Sequence, residues 1–133
     1  MSRYVIGPDV AIHLAREQAV MRGDHQLLAP SLIRSQVLSR LYQAVRASEM
    51  TRKDADRYLS YLRSLRIRLL GDRVLQRAAW EIASALKWPD TLTAEYVALT
   101  QLHGDAFITL DSNLAQVVKE LVAVAPVEAL LSR

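Results

Sequence analysis

The chain has 133 residues, 51% of them apolar and 23% charged, with no cysteine and a formal net charge of +3. That is enough chain to bury one core in a single domain over residues 1–133, and the missing thiols exclude disulfides, iron–sulfur clusters and thiolate zinc sites and suit a reducing compartment. No apolar run approaches the roughly 18–20 residues of a membrane helix, and Met1-Ser2-Arg3-Tyr4 leads into a short apolar stretch, so a soluble, unprocessed cytoplasmic protein without a membrane partner is expected.

Short β-type runs alternate with helical ones along the chain. Tyr4, Val5 and Ile6 form the first run, followed by Asp9 and a helix-like segment, and Leu27, Leu28 and Ala29 form the second. Ser31, just after Pro30, is placed to start a helix over 31–47 with Ile33, Val37, Leu41 and Val45 facing inward. Thr51 with Asp54 three residues on resembles a capping box, opening a helix over 51–65 whose stripe is Ala55, Tyr58, Leu59, Leu62 and Leu65. Ile67, Leu69 and Leu70 form a third run, and Asp72 caps a helix in which Leu75, Ala78, Ala79, Ile82, Ala83 and Leu86 keep helical spacing. Phe107 and Ile108 make the fourth run, ending at Asp111, and Val122 to Val124 offer a last edge strand.

Strands interleaved with helices predict a three-layer α/β/α domain around a mostly parallel sheet of four to five strands. The successive helices at 31–47 and 51–65, with no strand between them, predict a helical hairpin. Only four glycines are present, and none builds a GxGxxG or GxxxxGK pattern, so dinucleotide and P-loop chemistry are not expected. A phosphoaccepting receiver domain has a similar sheet, but Asp9 lacks a paired acid before it and no Lys lies just after the fourth run.

Charge is unevenly spread: residues 34–77 hold eleven Lys or Arg against four Asp or Glu. Such a basic middle suits a phosphate backbone, whose local concentration it raises, although solvated helix faces account for many of these residues singly. Asp9 and Asp111 each stand at the carboxyl end of an apolar run. In an open parallel sheet those ends are where ligands bind, so two carboxylates there are placed to share one cation.

The strand ending at Asp9, then APSLIRSQVLSRL, the hairpin, the long helix and TLTAEYVALTQLHGDAFITLDSNLA together resemble the PIN-domain family, in particular the small VapC-like toxins of prokaryotic toxin–antitoxin pairs. The resemblance covers nearly the whole chain and implies a PIN-like fold, Mg²⁺- or Mn²⁺-dependent cleavage of RNA, a homodimer and a cognate small antitoxin. Of the four acids such a site uses, the first matches Asp9 and the last Asp111, with Asn113 at a neighbouring, often polar position. The middle two are substituted: Gln36 stands where APSLxxxE has Glu, and Thr93 where yDAxYVALA has Asp.

Replacing two carboxylates by an amide and a hydroxyl keeps oxygen donors but removes two charges. Each unit-charge attraction at 4 Å is worth roughly 4 kcal/mol at an effective dielectric near 20, while Mg²⁺ often manages with one or two carboxylates, waters and substrate phosphates. Asp90 shares a helical face with Thr93 and is a substitute acid, or else an N-cap after Trp88-Pro89, whereas Glu95 projects the other way. Asp105 reads as a solvated turn residue, Trp80 and Trp88 as core packing rather than base-stacking platforms, and His13, His25 and His103 carry no metal spacing. Two functions follow: a weakened metal-dependent endoribonuclease with Asp9 and Asp111 as ligands, Gln36, Thr93, Asn113 and Asp90 as auxiliaries and Arg34 and Arg40 on the RNA backbone, or an inactive PIN-like protein that binds RNA or an antitoxin.

Overall fold

In the computed structural model, which describes residues 1–131, four strands and six helices alternate much as the periodicity predicts. Strand β1 (Ser2–Ile6) leads to α1 (Pro8–Glu17), then come β2 (His25–Pro30), α2 (Ile33–Arg46), α3 (Arg52–Ser64) and β3 (Ile67–Leu70). The second half holds α4 (Arg73–Leu86), α5 (Leu92–His103), β4 (Ala106–Ile108), α6 (Ser112–Val118) and a 3₁₀ turn (Val127–Leu130). The sheet order is β3-β2-β1-β4, with every pairing parallel.

Parallel strands need crossovers whose helices cover the sheet faces, and that sets the layers. Helix α5 lies on β1, β2 and β4 with α4 against it, while α1, α2 and α3 pack on one another, giving the expected three-layer α/β/α arrangement. Helix α5 is apolar around most of its circumference, with Ala94, Tyr96, Val97, Ala98, Leu99 and Thr100 all buried, because it is covered on both sides. Val5, Ile6, Leu28, Phe107 and Ile108 fill the sheet interior at 2% exposure or less.

Local capping acts where the sequence places it. The Thr51 hydroxyl accepts from the Asp54 amide at 3.0 Å, and Asp72 Oδ1 accepts from the Leu75 amide at 2.9 Å. Asp72→Ala leaves that first-turn amide without its acceptor, so about 1 kcal/mol of stability is lost; Asp72→Ser retains most of it, as urea midpoints of the two variants show.

Three expectations are modified. Ser31 does not cap α2, whose cap position is Leu32 with no side-chain bond; the Ser31 amide instead donates to the Leu70 carbonyl at 3.1 Å and carries the β2–β3 ladder one residue further. The segment Val122 to Val124 is not a full fifth strand: only Val124 bridges Phe107, held by a 2.9 Å bond from the Phe107 amide to the Ala123 carbonyl and a 3.0 Å bond from the Ala125 amide to the Phe107 carbonyl. Pro126, which has no N–H to donate, stops that ladder. On α3 only Ala55 and Tyr58 are buried, and Leu59, Leu62 and Leu65 stay half-buried along an open groove of about 630 Å³ between α2, α3 and β3.

Candidate functional site

The sheet order reverses between β1 and β4, since the chain first grows from β1 towards β3 and only later adds β4 on the other side. A crevice opens where such a reversal occurs, outside the carboxyl ends of the two strands. Here the Gly7 amide donates to the Ile108 carbonyl at 3.2 Å and holds the two strand ends together just beyond their ladder. A Cβ at position 7 would lie 2.6 Å from Asp9 Oδ1, so any side chain there displaces the carboxylate that follows.

Pro8 starts α1 and Asp9 stands in its first turn, where the aligned peptide dipoles favour a negative charge. Its carboxylate is fixed by three donors: the Val10 amide on Oδ1 at 2.8 Å, and the Thr109 hydroxyl and Leu110 amide on Oδ2, both at 2.8 Å. Asp111 caps α6, with Oδ1 accepting from the Leu114 amide at 3.0 Å, and its own amide donates to the Thr109 hydroxyl at 3.2 Å. The Thr109 hydroxyl therefore links the two aspartates. Both line one cleft of about 380 Å³, together with Gln36 and Arg40 from α2 and Thr93 and Tyr96 from α5.

Gln36 is not a free oxygen donor at this cleft, because its Oε1 accepts from the Tyr96 hydroxyl at 2.5 Å. Tyr96 is only 2% exposed, and burial pushes its phenol far above the ordinary tyrosine range; Arg40 opposes that shift, while Glu95 and Asp9 add to it. The phenol therefore keeps its proton through neutral and alkaline pH. Burial also raises the Glu95 carboxyl.

The remaining candidates lie elsewhere. Asn113 and Asp90 do not line the cleft; Asp90 Oδ1 accepts from the Leu92 amide at 3.1 Å at the start of α5, whose cap position is Thr91. Arg34 borders the apolar groove between α2 and α3 instead. Asp105 does more than face solvent: its Oδ2 accepts from the Arg3 amide and its amide donates to the Arg3 carbonyl, each at 2.7 Å, which registers β4 on β1. His25 Nε2 meets the Leu130 carbonyl at 3.1 Å and its ring packs edge-on to Tyr4, a structural role.

Trp80 corrects the sequence reading, because it is 69% exposed and not in the core. The buried stripe of α4 is Leu75, Ala79, Ile82 and Ala83, and a residue one step past Ala79 turns away from it with Arg73 and Arg77. Trp88 does pack against the core. Of the eleven basic residues in 34–77, Arg52 and Arg57 pair with Asp56 and Asp54 on the α3 surface, and the other nine form no ion pair among the described residues. Sequence reasoning missed Tyr96 and Thr109. Both lie inside stretches already singled out, AEYVALTQ and FITLD, yet only their pairing in space gives them a task.

No protein-family model matches the chain, and no curated protein matches it. Its fold is that of solved structures. The crystal structure of PAE2754 from Pyrobaculum aerophilum superposes with a TM-score of 0.70 at 18% identity, covering 96% of this chain and 92% of that one. A chain of VapBC2 from Rickettsia felis, crystallised bound to a DNA fragment from their promoter, superposes with a TM-score of 0.66 at 8% identity, covering 93% and 98% respectively. At these identities the likeness is one of fold. Among the described residues no helix is long and apolar enough to cross a membrane.

Proposed function

We propose that this chain is a divalent-metal-dependent endoribonuclease of the PIN/VapC toxin kind, acting in the cytoplasm as a homodimer restrained by a cognate small antitoxin. The observation that carries the reading is the convergence of Asp9 and Asp111 in one cleft through a shared threonine hydroxyl. The fold likeness to VapBC2 supports a toxin–antitoxin setting.

The donor set fits Mg²⁺ or Mn²⁺ with few protein ligands. Among the described residues no group of three or more acids, histidines or cysteines gathers, but two carboxylates match the manner in which Mg²⁺ is bound beside substrate phosphates. Asp9 and Asp111 would hold the ion, which when bound supplies an acidified water and neutralises charge developing on a phosphodiester. Asp9 is kept from swinging by its three donors, and Asp111 is oriented by the end of α6. The unpaired basic residues raise the local concentration of RNA.

The shortage of acids favours a second reading, a PIN-like protein that binds RNA or an antitoxin without cleaving. The two separate in one experiment. The nuclease cleaves single-stranded or structured RNA with Mn²⁺ or Mg²⁺ and not with chelator, and calorimetry with a 2′-O-methyl RNA shows Mn²⁺ binding tightened at least about tenfold, a coupling near 1.4 kcal/mol. No cleavage and no Mn²⁺ binding, with or without that RNA, establishes the inactive form.

A further inference from the structure

Two polar groups on the α2 side of the cleft are left over once the aspartates are accounted for. Gln36 and Arg40 stand one helical turn apart, so they share a face of α2, and both line the cleft. The buried Tyr96 hydroxyl donates to Gln36 Oε1, and no other acceptor serves that hydroxyl among the described residues. A buried O–H without an acceptor bears the full desolvation of the group, so the amide is held with its oxygen towards the phenol. Its two N–H donors then point away from Tyr96 and meet no protein acceptor among the described residues, and the Arg40 guanidinium forms no ion pair there.

The cleft thus has two unlike walls. The strand-end wall presents the carboxylates of Asp9 and Asp111, and the α2 wall presents only donors, one of them a full positive charge. We infer that Gln36 Nε2 and Arg40 form a seat for a phosphodiester oxygen of single-stranded RNA, which makes position 36 an anion-recognising donor and not a metal ligand. This rests on the reading of the cleft as a nucleic-acid site, but not on cleavage.

Charge gives the seat its direction. A phosphodiester carries one negative charge and planar pairs of acceptor oxygens, which suit the guanidinium fork with an amide beside it. A carboxylate at position 36 would keep the bond from Tyr96 yet replace both outward N–H groups by a repelling oxygen. Gln36→Glu is therefore an inversion of function, although it restores the acid that a metal cluster would use.

The test is fluorescence anisotropy of a labelled single-stranded RNA oligonucleotide in chelator, so that no metal contributes, with circular dichroism confirming that each variant folds. Gln36→Glu and Arg40→Gln are each expected to weaken binding at least about tenfold, the size of a lost charge-assisted hydrogen bond. Arg40→Gln also flattens the salt dependence by about one phosphate contact. Tyr96→Phe frees the amide to turn, so it weakens binding by the wild-type protein but adds little to Gln36→Ala, a non-additivity that general loosening of the fold would not produce. Loss of cleavage with this binding pattern intact removes the nuclease and leaves the seat. RNA affinity unchanged in Gln36→Glu and Arg40→Gln overturns the seat even in an active enzyme, and so does cleft binding of an oligoglutamate peptide with no RNA binding.

Discussion

On the proposed nuclease reading, Asp9→Asn is expected to lower RNA cleavage by about 10²- to 10³-fold. The magnitude follows from charge: with only Asp9 and Asp111 to hold a divalent ion, one lost unit interaction near 4 Å is worth roughly 4 kcal/mol at an effective dielectric near 20, and each 1.4 kcal/mol is a factor of ten. The side chain keeps its shape but not its bonding. An asparagine oxygen at the Oδ2 position still accepts from Thr109 and Leu110, while its NH₂ then faces the Val10 amide, donor against donor. Asp9→Asn therefore also destabilises the protein by about 1–2 kcal/mol.

Asp111→Asn separates the two effects, because asparagine caps a helix about as well as aspartate and the bond to the Leu114 amide survives. It should lose cleavage to a similar degree with a nearly unchanged urea midpoint. Initial rates of RNA cleavage in Mn²⁺, set beside denaturation of both variants, decide the matter. Wild-type rates in both would sink the two-carboxylate reading.

Phe107→Ala is expected to have the largest effect on stability, about 3–5 kcal/mol. The ring is 2% exposed in the middle of the three-residue strand β4, opposite Val5, with its centroid 6.3 Å from that of Tyr96. Truncation leaves a void among β1, α5 and β4 that rigid strands do not close. Because β4 delivers Thr109 and Asp111 to the cleft and its Phe107 backbone bridges Val124, loosening it also unseats the site. Phe107→Leu conserves most of the volume and should lose less than about 1.5 kcal/mol. Equilibrium unfolding in urea measures both, and a Phe107→Ala loss below about 1 kcal/mol would show that the sheet edge repacks.

What was legible in the sequence is what short-range physics sets. The caps at Thr51 and Asp72 join a side chain to an amide three residues on, so they could be read from spacing alone, whereas Ser31 was misread because its amide is taken by Leu70 on another strand. Trp80 was misplaced by one helical step. It borders the buried stripe of α4, and which side of that border is covered depends on where α5 packs.

The site divides in the same way. Asp9 and Asp111 were recognisable singly, since each ends an apolar run in a parallel α/β pattern and such ends face the ligand crevice. Residue types along the chain also determined the layered class, the two middle acids replaced by Gln36 and Thr93, and the basic stretch over 34–77. Only the tertiary structure decided that the Thr109 hydroxyl joins the Asp9 carboxylate to the Asp111 backbone amide, that Gln36 gives its oxygen to Tyr96 and that Arg40, not Arg34, enters the cleft. Local propensity fixes which stretches become strands and helices, but which donor meets which acceptor depends on how distant segments are brought together, and here the strand-order reversal and the packing of α2 against α5 make those choices.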